Sequence, residues 1–313
     1  MIAVDVMGGD HAPLVVLQGA WAAAKKSIPI LLCGQQEMIY QWLDTHDSNW
    51  KKYPIKVLDA PDIVAMDEEP VAAVRRKINS SLVKAVASVA QGHCTAVVSA
   101  GNSGALMVAA VFIVGRTDGV ERPAIAGFVP AKNNNKQVFV LDLGANTECR
   151  PLHLQQFAHM ASDYVANVLQ TPNPRVGLLA NGHEEGKGSL LVKETHMLLK
   201  NDNTLNFIGN VEPYDVFNGK ADIVVCDGFC GNILLKTMEA VAEHIAGLLP
   251  VDMAERIGNV FNYKHHGGAL LLGVRKPVIV CHGNSSTGVI ENAITFAWNV
   301  SCRKSHEIGL RKL

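Results

Sequence analysis

Short apolar runs punctuate the chain, and each is followed by a glycine-rich polar turn. Residues 2–7 form the first run, and Gly8, Gly9, Asp10 and His11 follow it. Residues 95–100 lead into Gly101, Asn102, Ser103 and Gly104, then into an apolar stretch at 105–114. The pattern returns at 138–143, 176–180, 221–226 and 278–281, ahead of turns at 144–148, 181–188, 227–232 and 282–286. Runs of this length between turn signals read as buried strands, and a helix-like segment follows most of them. Repeated βα units predict an α/β protein, layered α/β/α around a largely parallel sheet. The polar strand ends then gather at the edge where open α/β sheets bind ligands.

The first turn illustrates the chemistry and its plain alternative. Gly8 and Gly9 let the chain reverse sharply and leave backbone N–H groups open to a ligand. Asp10 and His11 stand at the strand's end. The alternative is an Asp that caps the next helix and a His bonded to backbone. Organisation is otherwise continuous, without fixed-period repeats or low-complexity segments. The chain reads as a single unit over 1–313, built as one body or as two lobes around a central cleft. A polar turn is expected at 132–137, a connector at Pro172-Asn173-Pro174, and a helical stretch at 240–263 with a break near 248–251.

Composition narrows the class. Hydrophobic residues make up 48% of the chain and charged residues 18%, in keeping with buried strands. The net charge is −1, so no global field draws in nucleic acid or an acidic partner. An acidic partner has to be met locally. Arg75, Arg76 and Lys77 form the densest basic cluster; the alternative is a solvated face paired with Asp67, Glu68 and Glu69. The seven cysteines are scattered, mostly in apolar runs, which suggests reduced thiols in a cytoplasmic protein. Cys226 and Cys230, with His265, His266 and His282 later on, lack Cys-x-x-Cys spacing, so no metal is expected. The uncharged stretch 85–115 is broken by Gly92, His93 and the turn 101–104, and reads as helix end, strand, turn and buried helix rather than a membrane span. The chain opens on a strand carrying Asp5, without a basic leader, so no secretory signal is expected.

At its turns the sequence resembles the PlsX-type phosphate acyltransferases, which make acyl-phosphate for phospholipid synthesis. The matching stretches are Val4-Asp-Val-Met-Gly-Gly-Asp-His-Ala-Pro13, Val98-Ser-Ala-Gly-Asn-Ser-Gly-Ala-Leu-Met107, Leu141-Asp-Leu-Gly-Ala-Asn146 and Asp227-Gly-Phe-Cys-Gly-Asn232. Shorter matches lie at 121–124, 207–212 and 235–239, in the same order. The resemblance implies a fold like that of isocitrate and isopropylmalate dehydrogenases, shared by phosphotransacetylases. It implies an acyl carrier protein thioester and inorganic phosphate as substrates, no cofactor, and a homodimer. A membrane glycerol-phosphate acyltransferase would consume the product. A cytoplasmic location follows, with peripheral membrane contact left open, because 240–263 looks shorter than the apolar helical hairpin usual in the family.

The implied reaction is attack of phosphate on a thioester. Phosphate is already dianionic at neutral pH, and a thiol with a pKa of about 8.5 leaves readily. The main task is to hold an anion against a carbonyl and stabilise the developing oxyanion. Gly101, Asn102, Ser103 and Gly104 offer N–H groups and a hydroxyl at a helix start; the alternative is plain capping. Asp227 orients a partner and Asn232 donates to the oxyanion, or the turn only caps its helix. Lys187, between Gly186 and Gly188, reaches a phosphate or carbonyl oxygen, or is a solvated lysine. Its loop lacks parts of both the Walker A and dinucleotide fingerprints. His11 shuttles a proton or bonds phosphate, and Asp10 faces the same anion. Asp142 and Asn146 orient basic groups or bind substrate, with capping as the alternative. Departures from the family's pattern fall at Ala180-Asn181-Gly182, Thr147-Glu148, Cys230 and His266. Three rivals remain: a phosphotransacetylase-like enzyme using acyl-coenzyme A, a dehydrogenase of the same fold, and a lipid-pathway scaffold.

Overall fold

The computed structural model describes residues 1–132, 137–250, 253–254 and 267–302. Residues 133–136 of the turn expected at 132–137, most of the helical pattern beyond 250, and His265 and His266 lie outside the described residues. The described residues divide into two compact units, one formed by Met1–Arg116 with residues 267–302, the other by the described residues between 117 and 254.

The first unit begins with β1 (Ile2–Asp5), α1 (Leu14–Lys25), β2 (Ile30–Gly34), α2 (Gln36–His46) and β3 (Ile55–Asp59). It continues with α3 (Pro70–Arg76), α4 (Ser81–Ala90), β4 (Ala96–Ser99) and α5 (Ser103–Ala109). The second unit holds β5 (Ala124–Pro130), β6 (Gln137–Leu141), α6 (Pro151–Asn167), β7 (Arg175–Leu179), α7 (Leu190–Lys200), β8 (Asn206–Val211), α8 (Pro213–Asn218), β9 (Ile223–Val225) and α9 (Gly228–Gly247). The chain then returns to the first unit with β10 (Ala269–Leu272), β11 (Val278–Val280) and α10 (Thr287–Cys302).

Strand order in the first unit is β3-β2-β1-β4-β11-β10, parallel except for β10. In the second it is β5-β6-β9-β7-β8, parallel except for β5. Every residue of β1, β4 and β9 is buried, as expected for central strands covered by helices. In the second unit the sheet core is built by Val138, Val140, Val211 and Val224, with Met238 of α9 packed on it.

Several helices start where the sequence supplies a cap. Ser80 accepts the N–H of Val83, Ser189 that of Val192, and Asp227 that of Cys230. The apolar stretch 105–114 is α5 followed by a π-helical turn at Ala110–Val114, ended by Gly115 at a positive φ of 91°. No helix among the described residues is long and apolar enough to cross a membrane.

Candidate functional site

In the first unit, β1 pairs with β4 and β4 with β11, so their C-terminal turns share one edge. The N–H of Asp10 donates to the Gly283 carbonyl at 2.8 Å, tying the first turn to the last. Below them Asp5 is buried. Its Oδ2 accepts the Ser99 hydroxyl at 2.7 Å, and that hydroxyl oxygen accepts the Gly101 N–H at 3.1 Å. Burial pushes the Asp5 carboxyl above its ordinary pKa. A Cβ on Gly8 would lie 2.4 Å from Asp5 Oδ2 and 2.7 Å from the Gly101 nitrogen, so only glycine allows the two turns to meet here.

Asn102 is committed to the scaffold. Its Nδ2 donates to the carbonyls of Ala65, Met66 and Glu68 at 3.0–3.2 Å, and its Oδ1 accepts the Ala105 N–H. The capping alternative therefore describes this side chain. Ser103 is exposed at the helix start. A Cβ on Gly104 would meet Pro70 Cγ at 2.6 Å, so this glycine serves the contact between α3 and α5. Asp10 and His11 are exposed. Arg75 and Arg76 are exposed too, whereas the Lys77 ammonium is bound to Glu68 and to the Ile63 carbonyl, both at 2.7 Å. Lys77 thus fastens the 63–68 loop and leaves the basic cluster with two arginines.

In the second unit Asp142 is buried just after β6. Its Oδ1 accepts the N–H groups of Ile125, Gly144 and Ala145, and its Oδ2 accepts Asn146 through both backbone and side chain. Asn146 Nδ2 also donates to the Pro123 carbonyl at 2.7 Å. Both Asp142 carboxylate oxygens and the Asn146 side-chain N–H groups are thus engaged in shaping the turn. Gly228 N–H donates to the Asn146 carbonyl, and a Cβ on Gly231 would fall 1.9 Å from the Asp142 carbonyl oxygen. The start of α9 therefore seats directly on the β6 turn. Asp227 Oδ1 accepts the Cys230 N–H, while Asn232 is exposed on the first turn of α9, beside Gly144.

Lys187 is exposed, with its aliphatic stem over Gly182. The ammonium makes no ion pair among the described residues. Its loop is anchored by two contacts that sequence reading missed. His183 Nε2 meets Asp215 Oδ2 at 2.5 Å, and Glu185 meets Lys200 at 2.6 Å. A pocket of about 1000 Å³ opens in this unit, lined by Asn181, Gly188 and Ser189 of the loop, by Phe229 and Cys230 of α9, and by many apolar side chains. Neither Lys187 nor Asn232 lines it.

The model of the family described as fatty acid synthesis protein matches residues 1–307. A phosphate acyltransferase of Desulforamulus reducens is 43% identical over 312 residues, covering 95% of this chain and 92% of the relative. A phosphate acyltransferase of Dehalococcoides mccartyi is 41% identical, covering 100% of this chain and 93% of its own. The chain belongs to the phosphate acyltransferase family. It is therefore an acyltransferase. Among solved structures, a phosphotransacetylase from Streptococcus pyogenes is similar in fold, with a TM-score of 0.65, 17% identity, and coverage of 96% and 93%. A 4-hydroxythreonine-4-phosphate dehydrogenase from Klebsiella pneumoniae is similar with a TM-score of 0.56, 14% identity, and coverage of 96% and 99%.

Membership in the acyltransferase family raises the question of a thiol nucleophile. Burial pushes Cys149 up to about 12 and Cys230 up to about 11, and Asp227 adds to the shift at Cys230. Both are protonated at neutral pH, and the thiolate is the reactive form of cysteine. The family stretch at 121–124 has a structural use. Glu121 bonds Arg150 and His153 at the start of α6, and the Pro123 carbonyl takes Asn146. Among the described residues no group of three or more His, Cys, Asp or Glu side chains is arranged to hold a metal ion. The acid in the opening strand was the available signal for Asp5, since a lone carboxylate in an apolar run needs partners.

Proposed function

We propose that this acyltransferase moves a fatty acyl group from an acyl carrier protein thioester to inorganic phosphate. A phosphate oxygen bonds to the thioester carbon, the C–S bond breaks, and the carrier thiolate leaves and takes up a proton. The product is acyl-phosphate for phospholipid synthesis, consumed by a glycerol-phosphate acyltransferase at the membrane. The observation that carries the reading is 43% identity to a phosphate acyltransferase over 95% of the chain. The fold is assigned to the isocitrate/isopropylmalate dehydrogenase kind, supported by likeness to both phosphotransacetylase and dehydrogenase structures.

Roles follow from what each side chain has left to offer. Ser103 contributes its hydroxyl to phosphate, with the N–H groups of Ser103 and Gly104 at the start of α5. Gly101 and Asn102 hold that turn in place. His11 and Asp10 border the same edge, where His11 serves as a hydrogen-bond partner of phosphate. Lys187 and Asn232 stabilise charge on the carbonyl oxygen as it develops. Asp142, Asn146 and Asp227 position the start of α9. Arg75 and Arg76 meet the acidic carrier by local complementarity. The enzyme works as a cytoplasmic homodimer. Hydroxylamine trapping with matched palmitoyl thioesters of acyl carrier protein and coenzyme A tests the donor. Faster acyl-hydroxamate formation from the carrier thioester is expected. Preference for the coenzyme A ester would replace this reading with a phosphotransacetylase.

A further inference from the structure

α9 carries an apolar stripe that the described structure leaves uncovered. Phe229, Ile233, Val241 and Ile245 recur at multiples of four, so neighbours in the row adjoin while the row itself winds gradually round the helix, by about 40° per step. They are 59%, 52%, 52% and 41% exposed, unusual for large apolar side chains in a row. All four line the pocket of about 1000 Å³ in the second unit. Its other walls include Leu179 of β7, Val192 of α7 and Phe217 of α8. That volume is at the upper end of ordinary ligand pockets, which span about 300–1,000 Å³. From Phe229 to Ile245 the helix rises about 24 Å, at 1.5 Å per residue. The space is therefore long and apolar, and one end of it lies beside Phe229 and Cys230 at the start of α9.

We infer that this pocket holds the fatty acyl chain of the donor, with the thioester end at the start of α9 and the methyl end toward Val241, Ala242 and Ile245. The inference rests on the acyl-transfer reading above. A hydrocarbon chain matches the lining because it brings no polar group that burial would leave unpaired. A second copy of the chain fits less well. A two-fold contact places the same patch against itself, and a concave wall does not complement its own image. With one end anchored for reaction, the far end of α9 sets chain length. Ala242 is half-buried there and leaves room that a larger side chain would fill.

Ala242→Phe tests the placement, and Ile245→Trp at a more exposed position repeats it if the first variant folds poorly. Palmitoyl and octanoyl carrier thioesters are compared by hydroxylamine trapping, with thermal unfolding as a control. We expect kcat/KM for palmitoyl to fall about 10-fold or more, since even one methylene in an apolar pocket is worth about 10- to 200-fold. The octanoyl value should stay within about 2-fold. Fluorescent cis-parinaric acid should bind the parent chain and bind Ala242→Phe about 10-fold more weakly, with sedimentation unchanged. Equal loss for both chain lengths, no loss for either, or no parinarate binding to the parent would overturn the inference. A change of oligomer in the variants would assign the face to a second copy and overturn it too. If the parent transfers no acyl group yet binds parinarate in an Ala242-dependent way, the transfer reading fails and the chain site stands.

Discussion

The Ser99 hydroxyl donates to Asp5 Oδ2 at 2.7 Å and accepts the Gly101 N–H at 3.1 Å, linking the ends of two neighbouring parallel strands. A buried carboxylate thereby holds the turn proposed to bind phosphate without facing phosphate itself. Ser99→Ala removes both bonds and leaves Asp5 short of a donor, which should cost about 1–3 kcal/mol of stability. The KM for phosphate should rise more than kcat falls. Chemical denaturation beside phosphate titration checks both. Unchanged stability and an unchanged phosphate KM would mean that the turn keeps its shape without this link.

Ser103 and Gly104 test the proposed phosphate turn in different ways, one through its hydroxyl and the other through packing. Ser103→Ala should raise the phosphate KM about 10-fold, the weight of one hydrogen bond to a charged group, with thermal unfolding unchanged. Gly104→Ala sets a Cβ 2.6 Å from the position of Pro70 Cγ and should lower stability and turnover together. An equal phosphate KM in Ser103→Ala and parent would remove the hydroxyl from the anion site.

Lys187 is exposed and has no ion pair among the described residues to lose. Lys187→Ala should therefore lower kcat about 100-fold, the scale of one lost oxyanion donor, while leaving the unfolding temperature alone. Lys187→Arg should recover part of the rate, because a planar guanidinium is not a compact ammonium. Full activity in Lys187→Ala would return this residue to an ordinary solvated role.

Acid stability should register the Asp202 cluster. Burial alone would raise this carboxyl, but hydrogen bonds from Thr204, Gln155 and His159 overcome it and bring the pKa from 3.8 down to about 2. A depressed carboxyl stabilises the fold above its unfolded pKa, and that contribution is lost as pH falls from about 4 toward about 2. Asp202→Asn should cost about 1–2 kcal/mol at neutral pH, with the gap to the parent closing across that window. A gap independent of pH would assign the loss to packing.

The strand-turn-helix grammar was legible because the central strands are buried on both faces and end at glycine-rich turns. β1, β4, β6, β7, β9 and β11 fall on the expected runs. β3 escaped notice because it is an edge strand, half-exposed, with Lys56 and Asp59 breaking its apolar run. β5 and β10 run antiparallel and are not followed by the same glycine-rich helix start. At the candidate site, the sequence pointed to these turns but not to the hydrogen bonds within them. Asn102, Asp142 and Asn146 each bond backbone groups through their side chains, which depends on partners as distant in sequence as Ala65 and Pro123. The Lys77 bond to the Ile63 carbonyl and the His183 pairing with Asp215 depend in the same way on the folded loop.

The central claim is that phosphate itself accepts the acyl group from a carrier thioester. The direct measurement follows free carrier thiol and trapped acyl-hydroxamate together as phosphate is varied over purified enzyme and palmitoyl carrier thioester. The account predicts that both products appear in equal amounts, rise to saturation with phosphate, and fall together in Lys187→Ala. Thiol release that is independent of phosphate, or without acyl-hydroxamate, would contradict it.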